Sequence, residues 1–267
     1  MKAVVLARGK GTRMQRASDA AIGDAAQARI ADSGVKGMIP FRRPFLDYLL
    51  SALADADCRE VCLIIAPGPN VIRDYYDAHV PERVRVTYAV QEQPLGTANA
   101  LLAARRFAGD DPFLVLNSDN YYPIDVLRAL VALDGPGLPA FQRAALLAQS
   151  NIDPGRVRSF ALLTIDAHGD LVDIVEKPDP ATFAAFGDDV PVSMNCWRFD
   201  ASIFEACARV EPSSRGELEL PNAVRYAVRV MGCRFRTVPF ETGVLDLSRR
   251  EDIAEVERRL AHVDPHP

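Results

Sequence analysis

A glycine-rich segment with interspersed basic residues follows the first apolar run of the chain. It consists of Leu6, Ala7, Arg8, Gly9, Lys10, Gly11, Thr12, Arg13 and Met14. Glycines let the backbone approach a ligand and present successive N–H groups to phosphate oxygens, and Lys10 and Arg13 add charge-assisted donors. The segment therefore predicts a phosphate-binding loop, although the same pattern is as often a plain turn after a strand. GxxxxGK[ST] is absent, and Met14 stands where GxGxxG requires its third glycine.

Two aspartates that follow apolar runs are candidates for a metal site. Asp119 comes just after a strand predicted over 112–117, at the sheet edge where α/β proteins place their sites. Asp246 lies far away in sequence but also follows a strand-like run. Carboxylate oxygens suit Mg²⁺, which takes one or two carboxylates together with phosphate oxygens. Either aspartate alone is as readily explained as a turn or a helix cap, and Glu241 is a rival for the second ligand.

Six segments in one order, over residues 3–262, resemble the sugar-phosphate nucleotidylyltransferase family. The glycine-rich loop resembles its LAxGxGTRM, and 36–40 resembles its K-x-(M/L)-(L/I)-P. The others are 91–98 (QxxPxGTA), 117–120 (LxGDN), 175–178 (VEKP) and 244–246 (WxD). The resemblance implies a Rossmann-like three-layer α/β nucleotidyltransferase fold with a mixed, mostly parallel central sheet. It also implies a Mg²⁺-dependent reaction that joins an NTP to a sugar 1-phosphate and releases pyrophosphate.

The resemblance also implies roles for individual residues. Arg13 and Lys36 would act on the triphosphate and Lys177 on the phosphate of the sugar, while Asp119 and Asp246 would bind metal. The nucleotide contacts would be Leu6, Ala7, Arg8, Gly9, Gly11, Thr12, Gln91, Pro94, Gly96 and Thr97. The sugar contacts would be Asn120, Ala161, Glu176 and Asn195. The amide of Gln91 suits a base edge because it offers both a donor and an acceptor.

Several positions depart from the family pattern and leave the substrates open. Arg8 stands where the family has a small residue, Ala161 and Cys196 stand where it has glycine, and the spacer from Met14 to Lys36 is longer. We expect Arg8 to touch bound nucleotide or close over the site; the alternative is that it projects into solvent.

The 91–96 segment resembles that of pyrimidine-using members, which favours UTP or dTTP as the donor. One alternative is the same transfer to a heptose, cyclitol or choline phosphate with GTP or CTP. Another is a non-catalytic, nucleotide-binding regulatory subunit, which the retained charges at the five catalytic and metal positions disfavour. A nicotinamide-dependent dehydrogenase is excluded by the missing third glycine.

Alternating strands and helices must position these residues. In the first half we predict strands at 3–7, 60–66, 84–90 and 112–117, and helices at 45–54, 70–78, 97–107 and 123–133. Short apolar runs that alternate with helices predict a mostly parallel sheet covered on both faces. Residues 15–35, poor in large apolar side chains, are expected to be a mobile insertion or a loosely docked helix.

The second half has a different pattern. We predict strands at 143–149, 158–166, 171–176 and 191–199, and helices at 201–209, 218–230 and 249–261, with a loop at 135–139. We expect a single nucleotidyltransferase domain over 1–267. Residues 1–135 would mainly bind the nucleotide and 136–267 mainly the sugar phosphate.

The composition excludes several other classes of protein. The 267 residues are 49% hydrophobic and 25% charged, with a net charge of −5, which gives no sign of a nucleic-acid-binding surface. No apolar run is long enough to cross a membrane. Five cysteines without a CxxC pair favour free thiols in a reducing compartment. We expect a cytoplasmic protein without nucleic-acid or membrane partners; a homo-oligomer is left open.

Overall fold

A mixed β-sheet runs through both halves of the chain. The computed structural model describes residues 1–16, 24–187 and 189–267. The strands are β1 (Lys2–Leu6), β2 (Glu60–Ile65), β3 (Arg85–Val90), β4 (Phe113–Asn117), β5 (Asn120–Tyr121), β6 (Gly137–Phe141), β7 (Ala161–Ile165), β8 (Leu171–Val175), β9 (Val192–Ser193), β10 (Trp197–Phe199), β11 (Arg236–Phe240) and β12 (Leu245–Asp246). Strands β5 and β12 form a separate antiparallel pair.

The large sheet has the order β3-β2-β1-β4-β10-β6-β9-β7-β8, and β11 pairs with β6. Pairing is parallel among β1 to β4 and between β6 and β11. The remaining pairs of the second half are antiparallel. The α/β class and the mixed sheet are therefore confirmed, with the parallel part concentrated in the first half. The carboxyl ends of β1 and β4 are adjacent, which brings the loops after them together.

Helices cover both faces of the sheet. They are α1 (Thr12–Gln15), α2 (Ala25–Ser33), α3 (Phe45–Asp55), α4 (Val71–Ala78), α5 (Thr97–Leu102), α6 (Arg105–Ala108), α7 (Ile124–Ala132), α8 (Arg143–Gln149), α9 (Pro154–Val157), α10 (Pro180–Phe186), α11 (Ile203–Arg209), α12 (Leu220–Arg229) and α13 (Asp252–Leu260). Side chains alternate along β1, so Ala3 and Val5 pack in the core with α3 and α7, and Val4 in the core with α5, α11 and α12. A third cluster joins Met14 to α2, α3 and α13.

Two expectations for the second half were wrong. The strand predicted at 143–149 is helix α8, whose Arg, Ala, Leu and Gln residues are good helix formers and of which only Leu146 is buried. The loop predicted at 135–139 contains the start of β6, whose five residues are all buried. Gly137 is required there because an added β-carbon would lie 2.4 Å from the carbonyl oxygen of Arg236.

Other bounds differ from the prediction. The run at 191–199 is split into β9 and β10 by a turn in which Asn195 has φ 55°. The strand predicted at 158–166 begins at Ala161 because α9 and a turn precede it, and the helix predicted at 97–107 is divided into α5 and α6. Helix α10 and strand β5 were not predicted, and the strand-like run expected before Asp246 was given no bounds; β11 ends at Phe240, and Asp246 itself belongs to β12.

The insertion at 15–35 contains an ordered helix. Helix α2 begins at the cap residue Asp24, whose side chain accepts hydrogen bonds from the N–H groups of Ala26 and Gln27, and ends at Gly34. Ala31 and Gln27 are buried against the rest of the chain. Helix α2 is therefore docked, while residues 17–23 of the predicted insertion lie outside the described residues.

The structure gives the state of the cysteines and the character of the helices. Cys58, Cys62, Cys196 and Cys207 are buried, Cys233 is half-buried, and all five are free thiols. Within the described part of the chain, no helix has the length and apolarity needed to cross a membrane.

Candidate active site at the carboxyl edge of the parallel strands

The glycine-rich loop leaves β1 at Leu6, which lies between Ile64 of β2 and Asn117 of β4. Ala7 continues the pairing by donating to the Ile64 carbonyl at 2.9 Å. Gly11 has φ 60°, and a β-carbon on it would lie 2.1 Å from the carbonyl oxygen of Gly34. Gly11 is therefore needed for a close backbone contact with the end of α2.

The loop presents exposed groups beyond that contact. Gly9, Lys10, Thr12 and Arg13 are exposed, and no neighbouring atom would meet a side chain at Gly9. Arg13 has no hydrogen bond or ion pair with any other described residue. These are the properties expected of a loop that can receive an anion.

Arg8 does not project freely into solvent. Its Nε donates to the backbone carbonyl of Gln91 at 2.8 Å, and its Nη2 to the carbonyl of Glu92 at 3.4 Å. Of the outcomes that we expected, projection into solvent is therefore wrong, whereas contact with nucleotide stays a prediction. The guanidinium joins the glycine-rich loop to the segment proposed to recognise the base.

Gln91 is held firmly in that segment. It is 5% exposed, and its backbone N–H donates to Ile65 at 3.0 Å. Its side-chain Nε2 donates to the carbonyl of Gly96 at 3.0 Å and to Oδ1 of Asn99 at 2.9 Å. No described residue donates to Gln91 Oε1, so that acceptor remains available. Sequence reasoning missed Asn99, which looked like an ordinary helix residue.

The 94–97 segment is bound to the chain just before α12. The N–H of Leu218 donates to Leu95 at 2.7 Å, and Ala98 donates to the Leu218 carbonyl at 2.8 Å. Thr97 Oγ1 accepts from Leu220 N–H at 2.8 Å. Gly96, with φ 118°, allows this approach, because a β-carbon would lie 2.4 Å from the Leu218 oxygen. Pro94 and Leu95 remain exposed.

Asp119 lies in the turn between β4 and β5, next to Lys36. Lys36 begins a 3₁₀ helix (Lys36–Met38), and its Nζ forms an ion pair with Asp119 Oδ2. The two side chains are 16% and 21% exposed. A predicted phosphate-binding cation and a predicted metal ligand are therefore in direct contact.

Asp246 is brought to the same turn by the β5–β12 pair. Asp246 lies opposite Asn120, and the N–H of Leu247 donates to the Asp119 carbonyl at 2.8 Å. Glu241, the rival ligand, is exposed directly after β11. Strand pairing thus places Asp246 beside the Asp119 turn and gives Glu241 no comparable position.

The carboxylate of Asp246 is engaged by a residue that sequence reasoning missed. Arg156 of α9 donates from its Nη1 to Asp252 Oδ1 at 2.7 Å, and its Nη2 lies 2.7 Å from Asp246 Oδ1 in an ion pair without hydrogen-bond geometry. Asn151 bonds the backbone of Asp246 in both directions, at 2.7 and 2.8 Å. The signal available in the sequence was the Asn-Ile-Asp-Pro segment at 151–154, which leads into α9 and lies between two of the predicted strands.

The predicted sugar contacts lie along the antiparallel strands. Ala161 is buried at the start of β7 opposite Ser193, and Glu176 directly follows β8. Tyr122 donates to the carbonyl of Met194 at 2.7 Å, which ties the turn containing Asn195 to the segment after β5. The buried Nδ2 of Asn120 has no partner among the described residues.

Lys177 lies among carboxylates. Its φ is 46°, and its Nζ lies 3.0 Å from Glu176 Oε1 and 2.8 Å from Glu219 Oε1. Arg215 also pairs with Glu219, so two cations converge on one buried carboxylate. Burial raises the pKa of Glu176, although Lys177 opposes that effect. Burial also acts to raise the pKa of Glu219, but the contacts with Lys177 and Arg215 outweigh it and lower that pKa.

Arg215 and Glu219 were not among the predicted site residues. The segment RGELEL, dense in charge directly before the apolar pattern of α12, was the available signal.

The carboxylates at this site suit a magnesium ion that is also bound by the phosphate oxygens of a nucleotide. Among the described residues no group of three or more His, Cys, Asp or Glu side chains could form an all-protein cage. Two aspartates whose backbones lie on adjacent segments match in number the usual Mg²⁺ arrangement of one or two carboxylates plus phosphate oxygens. Asp119 and Asp246 therefore fit such an ion in type and number, provided that Lys36 moves away from Asp119.

Comparison with known proteins gives the class. A family model described as "Nucleotidyl transferase" matches residues 30–237. The resemblance to this family is thereby confirmed: the chain belongs to the nucleotidyl transferase family.

Curated relatives include two proteins of Haloferax volcanii. The chain is 28% identical over 229 residues to the low-salt glycan biosynthesis nucleotidyltransferase Agl11, a match that covers 84% of this chain and 56% of that protein. It is 27% identical over 271 residues to the UTP–glucose-1-phosphate uridylyltransferase AglF, covering 97% and 96%. A glucose-1-phosphate thymidylyltransferase of Streptomyces antibioticus is 29% identical over 262 residues, covering 97% and 66%. The chain thus spans just over half of the first relative and nearly all of the second.

Solved structures confirm the fold. A UDP-glucose pyrophosphorylase complexed with UDP-glucose superposes with a TM-score of 0.75 at 18% identity, covering 97% of this chain and 98% of that one. A putative glucose-1-phosphate thymidylyltransferase from Bacillus anthracis gives 0.73 at 19% identity, covering 98% and 96%.

Proposed function

We propose that this protein transfers the nucleotidyl group of an NTP to a sugar 1-phosphate and releases pyrophosphate. The observation that carries the proposal is the β5–β12 pair, which sets Asp246 opposite Asn120 and next to the Asp119 turn. This turn follows β4, and β4 lies beside the strand that leads into the glycine-rich loop. Two carboxylates and a phosphate-binding loop at one sheet edge suit a triphosphate with its metal.

The reaction needs charge neutralisation and alignment more than covalent help. A phosphate oxygen of the sugar 1-phosphate attacks the α-phosphorus, and the bond from that phosphorus to the β-phosphate oxygen breaks. The loop N–H groups and Arg13 hold the departing pyrophosphate, and Lys36 moves from Asp119 to the α-phosphate. Magnesium, held by Asp119 and Asp246 when bound, supplies further neutralisation of the phosphate oxygens.

The hydrogen bonds of Gln91 support a uracil or thymine base. Its Nε2 is already used by Gly96 and Asn99, so the free group is the acceptor Oε1. Uracil and thymine carry a donor at N3, whereas cytosine carries an acceptor there. UTP or dTTP is therefore the proposed nucleotide donor. The resemblance of the 91–96 segment to that of pyrimidine-using members favours the same choice. AglF and the Streptomyces relative, by their names, use UTP and a thymidylyl group respectively.

The second half provides a place for the sugar phosphate. Lys177 and Arg215 converge on Glu219 and offer two cations to one phosphate. Glu176 lies beside Lys177 at the end of β8. The Nδ2 of Asn120, which has no partner among the described residues, would donate a hydrogen bond to a sugar oxygen. Asn195 and Ala161 are proposed to line the sugar, and glucose 1-phosphate is the proposed acceptor.

The alternatives are weaker on this geometry. Cys196 is 1% exposed and packs within the core, so its replacement of glycine adds no side chain to an open site. The presence of Cys196 at a family glycine position therefore gives no reason to prefer a heptose, cyclitol or choline phosphate as the acceptor. A non-catalytic subunit would have no need for the two carboxylates at this edge, or for an Arg13 that no described residue engages. Five unpaired thiols support the proposal that the protein works in a reducing cytoplasm.

The test is pyrophosphate release across a matrix of substrates. UTP, dTTP, GTP, CTP and ATP are each combined with glucose 1-phosphate, N-acetylglucosamine 1-phosphate, mannose 1-phosphate and phosphocholine, with and without Mg²⁺. We expect Mg²⁺-dependent release with UTP or dTTP and glucose 1-phosphate. A highest rate with CTP or GTP and another acceptor would establish the alternative specificity. Nucleotide binding without release for any pair would support the regulatory subunit.

A further inference from the structure

Arg156, a buried arginine that was not among the predicted site residues, forms an ion pair with Asp246. Arg156 is 6% exposed, and its two terminal nitrogens approach two different carboxylates, Asp246 and Asp252, each at 2.7 Å. It belongs to the four-residue helix α9, which is fixed by Asp153 Oδ1 accepting from the N–H of Arg156 at 3.0 Å. A charge buried this deeply requires partners, and the planar guanidinium can reach two at once.

The second carboxylate anchors the arginine. Asp252 Oδ2 accepts from the N–H groups of Ser248 and Arg249 at 2.8 and 2.7 Å, so it closes the turn that follows β12. Asn151 meanwhile fixes the backbone of Asp246 from the α9 side. Asp246 is therefore held at its backbone by Asn151 and at its carboxylate by Arg156.

The two proposed metal ligands differ in how firmly the cation paired with each of them is held. Asp119 pairs with Lys36, a single flexible cation on a partly exposed side chain, and no second carboxylate of the described residues forms an ion pair with that lysine. Asp246 pairs with an arginine that is itself fixed by Asp252. When a nucleotide binds, Lys36 can leave Asp119 for a phosphate oxygen. Arg156 is held by Asp252, so its contact with Asp246 remains.

We propose that Arg156 is the positioning residue for Asp246, an inference that rests on the proposed function. By engaging Oδ1, it fixes the carboxylate and leaves Oδ2 as the oxygen that serves a divalent cation. With two carboxylates around one guanidinium, the cluster keeps a net negative charge, which favours binding of that cation. Arg156 acts through Asp246 and has no contact of its own with substrate.

The test uses variants that separate positioning from folding. Arg156→Lys keeps the buried positive charge but cannot bridge both carboxylates with a planar fork. Asp252→Asn keeps the Arg156–Asp246 contact while it removes the other ion pair of the cluster. Binding of Mn²⁺ is measured by electron paramagnetic resonance in the presence of α,β-methylene-UTP. The melting temperature and the kcat and KM for both substrates are measured beside it.

We expect Arg156→Lys to weaken Mn²⁺ binding about 10- to 100-fold and to lower kcat, with KM for the sugar phosphate nearly unchanged. Asp252→Asn should lower the melting temperature and weaken Mn²⁺ binding, but clearly less than Arg156→Lys does, because Arg156 keeps its contact with Asp246 while it loses one anchoring carboxylate and the cluster loses one negative charge. Wild-type Mn²⁺ affinity in folded Arg156→Lys, or equal loss of affinity in both variants, would overturn the proposal. Clear Mn²⁺ binding that depends on Arg156, in a protein without transfer activity, would overturn the proposed function and leave the role of Arg156 supported.

Discussion

Arg8 donates from its Nε to the backbone carbonyl of Gln91 across the carboxyl edge of the sheet, at 2.8 Å. This contact joins the glycine-rich loop to the loop proposed to recognise the base, and it is made by the residue that departs most from the family pattern. A small residue at position 8 could not make it. The departure therefore has a structural consequence: two loops that a nucleotide would bridge are already connected.

Replacement of Arg8 by alanine should weaken nucleotide binding. The lost hydrogen bonds involve a charged donor, each worth about 1.5–3 kcal/mol, part of which water will replace, so we expect an affinity loss of about tenfold. Calorimetry with UTP and dTTP measures it, and rates with all five NTPs show whether base choice relaxes. Arg209→Ala, which removes an exposed arginine of α11, is the matched control. Unchanged affinity and an unchanged NTP profile would show that the contact has no role in binding.

The choice of metal ligands is tested by three substitutions made in parallel. Asp119→Asn and Asp246→Asn should each lower Mg²⁺-dependent kcat by roughly 10³-fold, because each loses a ligand and its negative charge. Glu241→Gln should retain activity close to wild type, since Glu241 is exposed and apart from the β5–β12 pair. Circular dichroism confirms folding. An inactive Glu241 variant beside an active Asp246 variant would reverse our assignment.

Lys177→Ala should affect the sugar phosphate more than the nucleotide. Its ammonium is proposed to contact the acceptor's phosphate, a charge-assisted interaction of about 1.5–3 kcal/mol, or about 10- to 150-fold in KM. Arg215 continues to pair with Glu219 in this variant, so the fold should survive. Steady-state kinetics give KM for glucose 1-phosphate, and calorimetry gives the Kd of the nucleotide. An equal loss for both substrates would contradict the assignment.

The close approach of Gly96 to Leu218 predicts a loss of stability on substitution. Gly96→Ala places a β-carbon 2.4 Å from the carbonyl oxygen of Leu218, in addition to the strain at φ 118°. Gly68→Ala is the control, because Gly68 has φ 83° but open space around it. We expect the control to cost about 1–2 kcal/mol and Gly96→Ala about 1–3 kcal/mol more. Urea denaturation measures both, and equal losses would show that Leu218 adjusts freely.

Local pattern was sufficient for the first half of the fold. The strands β1, β2, β3 and β4 are short apolar runs separated by amphipathic helices, and such runs have few alternatives to a buried parallel sheet. Strand β6 was missed because its glycine and proline suggest a loop, while its burial comes from β10 and β11, which lie far along the chain. The reverse error at α8 arose because an apolar run of that length suits either structure.

For the site too, the sequence indicated individual residues but not the contacts between them. The positions of Asp119 and Lys36 could be inferred from segments that resemble a family, but their direct ion pair could not, because a segment carries no information about its neighbours in space. Arg156 lies in a turn with no distinctive pattern, and only the folded chain brings it to Asp246. Arg8 was noticed as unusual, yet its partner was a backbone carbonyl, which no side-chain pattern reveals.

The central claim is tested most directly by following oxygen atoms through the reaction. The enzyme is incubated with Mg²⁺, UTP or dTTP, and glucose 1-phosphate labelled with ¹⁸O in its non-bridging phosphate oxygens, and the products are resolved by ³¹P NMR and mass spectrometry. Attack of the sugar phosphate on the α-phosphorus predicts that all of the label appears in the nucleotide sugar and none in pyrophosphate. Label in pyrophosphate, or NTP breakdown without a nucleotide sugar, would contradict the account.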